Sequence, residues 1–244
     1  MVRSNGEDGK FCAKRFFASP VGKAQSQIVR IESFKLFHIA GKFGKSLTFP
    51  ENILRGNVGL TNQSQINVRA DGGGDVNINA RNVEISGDSV IRVGIDEGLG
   101  FLEAKTGDIN VNAQENILLT GASSSITNRI NLGGTGLSGN INITANSVSI
   151  NGGAFISTSI LGNGNAGNIN VKAAFVEVSG TSPDGEFSSA LIAGLSETGM
   201  GNGGNIYIET GQFRLTEGGE IINGSFGQRN ASSTSILATD LVEL

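Results

Sequence analysis

The residues of this chain best suited to chemistry are its carboxylates, and two short stretches concentrate them. These are "GIDEG" at 94–98 and "SPDGEF" at 182–187. Cleavage of a glycan needs two carboxyl groups converging on one bond, one as acid and one as base or nucleophile. Asp96, Glu97 and the nearby Glu103 form one candidate group, and Asp184 with Glu186 another. Both stretches also read as plain turns, "SPDG" strongly so, because Pro presets the turn dihedral and Gly accepts a positive φ. The remaining acids, among them Asp88, Glu115, Glu197, Glu209, Glu217 and Glu220, are scattered. Glu84 and Glu177 share a strand position that Ser149 and Arg214 occupy elsewhere, which is the mixture of an exposed face. His38 is the single histidine and Cys12 the single cysteine, so neither a Ser-His-Asp set nor a His/Cys ligand spacing exists. "GNGNAG" (162–167) is rich in glycine, but a strand rather than a helix follows it, so it does not read as a phosphate loop. The expectation is no catalytic residue, no cofactor and no metal.

Composition divides the chain near Ser46. Residues 1–46 carry nine Lys/Arg and three Asp/Glu, together with six of the 13 Phe. Residues 47–244 carry nine Lys/Arg and nineteen Asp/Glu, with most of the 37 Gly. The basic leader, 1–46, has neither helical nor strand periodicity and is expected to be disordered or irregular, with a membrane-surface or nucleic-acid arm as the functional alternative. The acidic remainder lacks the clustered basic surface that nucleic acid requires. No apolar run reaches 18 residues, so no membrane span is expected. Nor do the first 30 residues contain the apolar core of an ordinary signal peptide.

The remainder is a repeat. Taking the Gly before each "[DN]-[IV]-x-[IV]" as the origin gives Gly74, Gly107, Gly139, Gly167 and Gly204, spaced by 33, 32, 28 and 37 residues. Each unit opens with a period-two strand whose apolar residues are Val76/Ile78, Ile109/Val111, Ile141/Ile143, Ile169/Val171 and Ile206/Ile208, with Asn77, Asn110, Asn142 and Asn170 between them. A second strand places Val83/Ile85, Ile117/Leu119, Val148/Ile150, Val176/Val178 and Phe213/Leu215 inward. A third is less regular: "SVIRV" (89–93), "SSITN" (124–128), "AFISTS" (154–159), "ALIAGL" (190–195) and "EIINGS" (220–225). Variable Gly/Ser/Asn loops such as "LGNGNAG" (161–167) are expected to close the unit. "VGLTNQSQINV" (58–68) matches "VEISGDSVIRV" (83–93) position for position, so the array is expected to begin near Leu47–Ile53.

Three short strands per unit, alike between units rather than within them, predict an all-β fold. The architecture expected is a right-handed parallel β-helix of about five to six coils over 47–226, with like residues stacked at the strand spacing of about 4.8 Å. A hairpin meander is the competing arrangement. Residues 227–244 are expected to form a partial coil or a cap.

The column after each origin Gly reads Asp75, Asp108, Asn140, Asn168 and Asn205. Turn chemistry explains it, and stacking predicts a structural ladder of side-chain amides along the rod. The neighbouring Asp75 and Asp108 also raise a cation site, whereas "DGGGD" (71–75) resembles the calcium-binding Gly/Asp nonapeptide only superficially, because it does not recur in tandem.

"GGDVNINARNVEISG", "GNINITANSVSINGGAFISTS" and "GNAGNINVKAAFVEVSG" followed by "GNGGNIYIETGQFRLTEGGEI" resemble the repeat region of filamentous haemagglutinin-type adhesins, large cyanobacterial ones especially. The resemblance spans Ser46 to Phe226. It implies a right-handed parallel β-helix exported by two-partner secretion through an outer-membrane β-barrel transporter. It also implies an extracellular or cell-surface location and a role in adhesion, with glycans or cell-surface molecules as ligands. In place of the family's Asn-Pro secretion motif stands "FFASPVG" (16–22), with Ser19 at the Asn position, which leaves three expectations open: a fragment, a truncated gene product or a chain with a misassigned start. The alternative function is a carbohydrate-active β-helix enzyme, a polysaccharide lyase or hydrolase.

Overall fold

A computed structural model describes residues 29–32, 55–224 and 232–244. The described chain is all-β, without helix, and its parallel strands stack as a β-solenoid of about five turns. Among the described residues no helix is long and apolar enough to cross a membrane. Cys12, His38, the expected start near Leu47–Ile53 and most of the basic leader lie outside the described residues.

The first face of the coil stacks Val76–Ala80, Ile109–Ala113 and Ile141–Thr144, then the first halves of the long strands Ile169–Ser179 and Ile206–Thr216. The second stacks Val58–Leu60, Val83–Ile85, Asn116–Thr120 and Ser147–Asn151, then the second halves of the same long strands. Register is like on like: Val76, Ile109, Ile141, Ile169 and Ile206 share one column, and Val83, Ile117, Val148, Val176 and Phe213 another. All ten of these side chains are buried. Period-two alternation explains this, because each second residue must point into the coil. The match between 58–68 and 83–93 is the observed register, Val58 on Val83 and Ile66 on Ile91.

The third face stacks Gln65–Asn67, Val90–Ile95, Ser125–Ile130, Phe155–Ile160, Ala190–Leu195 and Glu220–Ile222. A fourth face corrects the expectation of three strands closed by loops. Gly100–Lys105, Thr135–Leu137, Asn163–Asn165 and Met200–Asn202 form a parallel sheet of their own. Three of these strands have only three residues, drawn mostly from Gly and Asn, so they carry no apolar alternation. Backbone pairing between coils holds them, and a small second core of Ile95, Ala104, Ile130, Ile160 and Leu195 lies behind them.

The two ends differ from the sequence expectation in detail. Val29–Glu32, inside the leader read as irregular, pairs parallel with the first-face strand Val76–Ala80. At the other end Thr234–Glu243 lies along both halves of Ile206–Thr216, with Thr234 on Ile206 and Val242 on Phe213. It is a partial coil of one strand, largely exposed.

Candidate functional site

The Asx column sits where the fourth face turns into the first. Asp75 Oδ1 accepts from the backbone N–H of Asp108 at 2.8 Å, Asp108 Oδ1 from that of Asn140 at 2.7 Å, and Asn140 Oδ1 from that of Asn168 at 2.8 Å. Asn168 Oδ1 then accepts from Asn205 N–H at 2.9 Å, and Asn205 Oδ1 from Ser233 N–H at 2.9 Å. The bonds therefore run from side chain to the next backbone, not from amide to amide. A peptide N–H at a corner falls outside the strand ladder and needs an acceptor, and an Asx oxygen one coil away supplies it. Only an acceptor is required, which is why both Asp and Asn serve in this column.

The amide-to-amide ladder lies two residues further on. Asn110 Nδ2 donates to Asn77 Oδ1 at 2.9 Å, Asn142 Nδ2 to Asn110 Oδ1 at 2.8 Å and Asn170 Nδ2 to Asn142 Oδ1 at 2.8 Å. The sequence places these residues outward but gives no reason to prefer them over the corner column. The two columns make opposite demands on chemistry. Asn168→Asp keeps its acceptor and should change stability by less than about 0.5 kcal/mol. Asn142→Asp sets acceptor against acceptor at Asn110 and should cost about 1–2 kcal/mol, a fall in Tm of several degrees by thermal circular dichroism.

The two carboxylate groups are held by other partners. Asp96 Oδ1 lies 3.5 Å from Arg69 Nη1 and accepts from the Glu97 backbone at 3.1 Å. Glu103 is exposed on Gly100–Lys105, which bulges relative to Thr135–Leu137. In the "SPDGEF" excursion, bridged by Thr181 and Ser188, the Ser182 hydroxyl donates to Asp184 and holds its carboxyl below the usual range. Asp184 also accepts from Glu186 N–H at 3.1 Å, so this carboxylate caps its own turn. Glu115 is likewise lowered, by bonds from Asn82 first and from Arg81. Among the described residues no group of three or more His, Cys, Asp or Glu could hold a metal ion.

A different cluster occupies the outer surface of the third face. Arg69, Arg92 and Arg129 line one shallow groove of about 300 Å³ with Ser125, Thr127, Asn131 and Phe155. Arg129 stands in register with Gly94, and Arg92 in register with Thr127. Ala70 bridges Ile95, which places Arg69 beside Gly94 as well. Arg69 and Arg129 thus flank a position that has no side chain. Arg129 Nε donates to Ser159 Oγ at 2.9 Å, and Arg69 Nε to Asn67 Oδ1 at 3.2 Å. Among the described residues the Arg92 guanidinium has neither a hydrogen bond nor an ion pair. Burial lowers the Arg129 pKa, and the charges of Arg92 and Arg69 lower it further. Arg92 is lowered by burial and by Arg69.

The sequence reading missed this cluster, although "SVIRV" contains Arg92 and Arg129 directly follows "SSITN". Aligning the third strands as "QINVRA", "VIRVGI" and "SITNRI" would have put three arginines on outward positions of consecutive coils. No protein-family model, no curated protein and no solved structure matches this chain.

Proposed function

We propose that this chain is a non-enzymatic structural and adhesive module of a secreted or surface-displayed bacterial adhesin. Export would follow two-partner secretion, with an outer-membrane β-barrel transporter as partner, and the module would act outside the cell. The observation that carries the reading is the like-on-like stacking of apolar columns and Asx ladders through consecutive coils. Such a rod presents a long repetitive surface on which many modest contacts add up. The phrase resemblance to filamentous haemagglutinin-type repeats supports the same reading.

The test separates binding from cleavage. Immobilised chain is exposed to isolated bacterial and host-type cell surfaces and to a polysaccharide panel, with reducing ends and unsaturated sugars followed in the same wells. Retention without product is the expected result. Product release from any polysaccharide overturns the reading in favour of the lyase or hydrolase. The export route is tested by the neighbouring DNA, where a secretion domain in the same reading frame and an adjacent β-barrel transporter are expected; their absence counts against it.

A further inference from the structure

We infer that the Arg69–Arg92–Arg129 groove binds the carboxylate of an acidic glycan, one uronate residue at a time. The inference rests on the reading of the solenoid as a binding module and names a ligand class and a place for it. Three guanidiniums share this groove, and Asp96 alone, 3.5 Å from Arg69, is paired with any of them among the described residues. Partly buried cations without counter-charges cost stability, and an anion seated between them removes that cost. Each guanidinium presents parallel N–H groups that match the two oxygens of a carboxylate. Gly94 carries no side chain between Arg69 and Arg129, and the Arg129 backbone carbonyl packs where one would stand, so the two arginine-bearing coils sit close on either side of it.

Size and field narrow the ligand. A volume of about 300 Å³ is the lower end for small-molecule sites and suits a single sugar rather than a long segment. Ser125 and Thr127 form the nearly buried polar floor of the same groove, with the Thr127 hydroxyl turned to the Ile91 carbonyl at 3.4 Å, and the Phe155 ring offers an apolar wall. Residues 47–244 hold nine Lys/Arg against nineteen Asp/Glu, so a densely charged polyphosphate is repelled from most of the rod. A short uronate oligomer can seat one carboxylate among the arginines while its few remaining charges stay in solvent, away from the acidic faces.

The test titrates the full chain with trigalacturonate, with neutral galactotriose as control, by calorimetry. Trigalacturonate is expected to bind and galactotriose not to. Arg92→Gln is expected to weaken binding about tenfold or more, the loss of one charge-assisted bond. Its Tm should stay level or rise, because it removes a cation with no bonding partner in the groove. Arg129→Gln should act in the same direction on binding, and Arg81→Gln, remote from the groove, should leave binding intact. The inference is overturned if the natural chain ignores trigalacturonate, binds galactotriose equally, keeps full affinity in both groove variants, or prefers oligo-dT. Adhesion to cell surfaces that survives any of these results leaves the adhesive reading standing. Cleavage of a trigalacturonate that binds through the arginines would instead sink the adhesive reading and keep the groove.

Discussion

Gly167→Ala should lower Tm by about 6–12 °C, a large effect for the addition of a single methyl group. The methyl would land on the carbonyl oxygen of Gly139, in the coil below, far inside van der Waals contact. The same is true of Gly204 over Gly167 and of Gly139 over Gly107. Backbone meets backbone at this corner, so no side chain can rotate away to make room. The coils must separate or the corner must distort, at a cost of about 3 kcal/mol or more by the measure of overpacked cores. For a chain of this size each kcal/mol moves Tm by roughly 2–4 °C, which yields the stated fall. Because the corner is also where Asn140 Oδ1 accepts from Asn168 N–H, separation would break the ladder as well. Thermal circular dichroism with Gly185→Ala as control checks it. Gly185 sits in the "SPDGEF" turn with open space around it, and only its positive φ resists substitution, so its loss should be the smaller.

Phe213→Ala should cost about 3–5 kcal/mol, the range for a fully buried aromatic side chain. Phe213 is wholly buried and stands above Val83, Ile117, Val148 and Val176, whose smaller side chains fill the same column lower down. Among the described residues only Val242 stands above it, and that side chain is 49% exposed. The ring therefore closes the core where the array thins to a single strand. In a solenoid each coil touches only its neighbours, so the loss falls locally rather than on the whole rod. Hydrogen exchange should show 206–216 and 234–243 losing protection first, while 76–80 and 109–113 keep theirs. Equal loss along the whole array would show a single cooperative unit and overturn the local account. Phe213→Leu keeps most of the volume and should cost less than about 1.5 kcal/mol.

Much of this architecture was legible because it is local. Val76/Ile78 and their equivalents alternate with Asn, and a strand puts every second residue on one side whatever lies next to it. That alternation, repeated at Gly74, Gly107, Gly139, Gly167 and Gly204, predicted the first two faces and their share of the main core, to which the third face adds Ile66, Ile91, Ile126, Ile156 and Leu191. The fourth face escaped because "TGL", "NGN" and "MGN" alternate nothing; their strand character exists only through pairing with the coils above and below. The corner column bonds from each side chain to the next backbone N–H, not as the expected amide ladder. Whether an Asx oxygen meets an amide or a peptide N–H depends on the height and rotation of the next coil.

The sequence by itself determined the repeat, the inward columns, the small residues at the corners and the acidic balance of the rod. Tertiary structure alone decided what stands beside what across coils. Units of 28 to 37 residues reach the same register only because loops of different length absorb the difference. That absorption set Arg129 against Gly94 and Arg92 against Thr127, and so gathered three arginines from separate coils into one groove. Side-chain alternation is a property of each strand, whereas lateral neighbours one coil away are fixed by the stacking of the whole array.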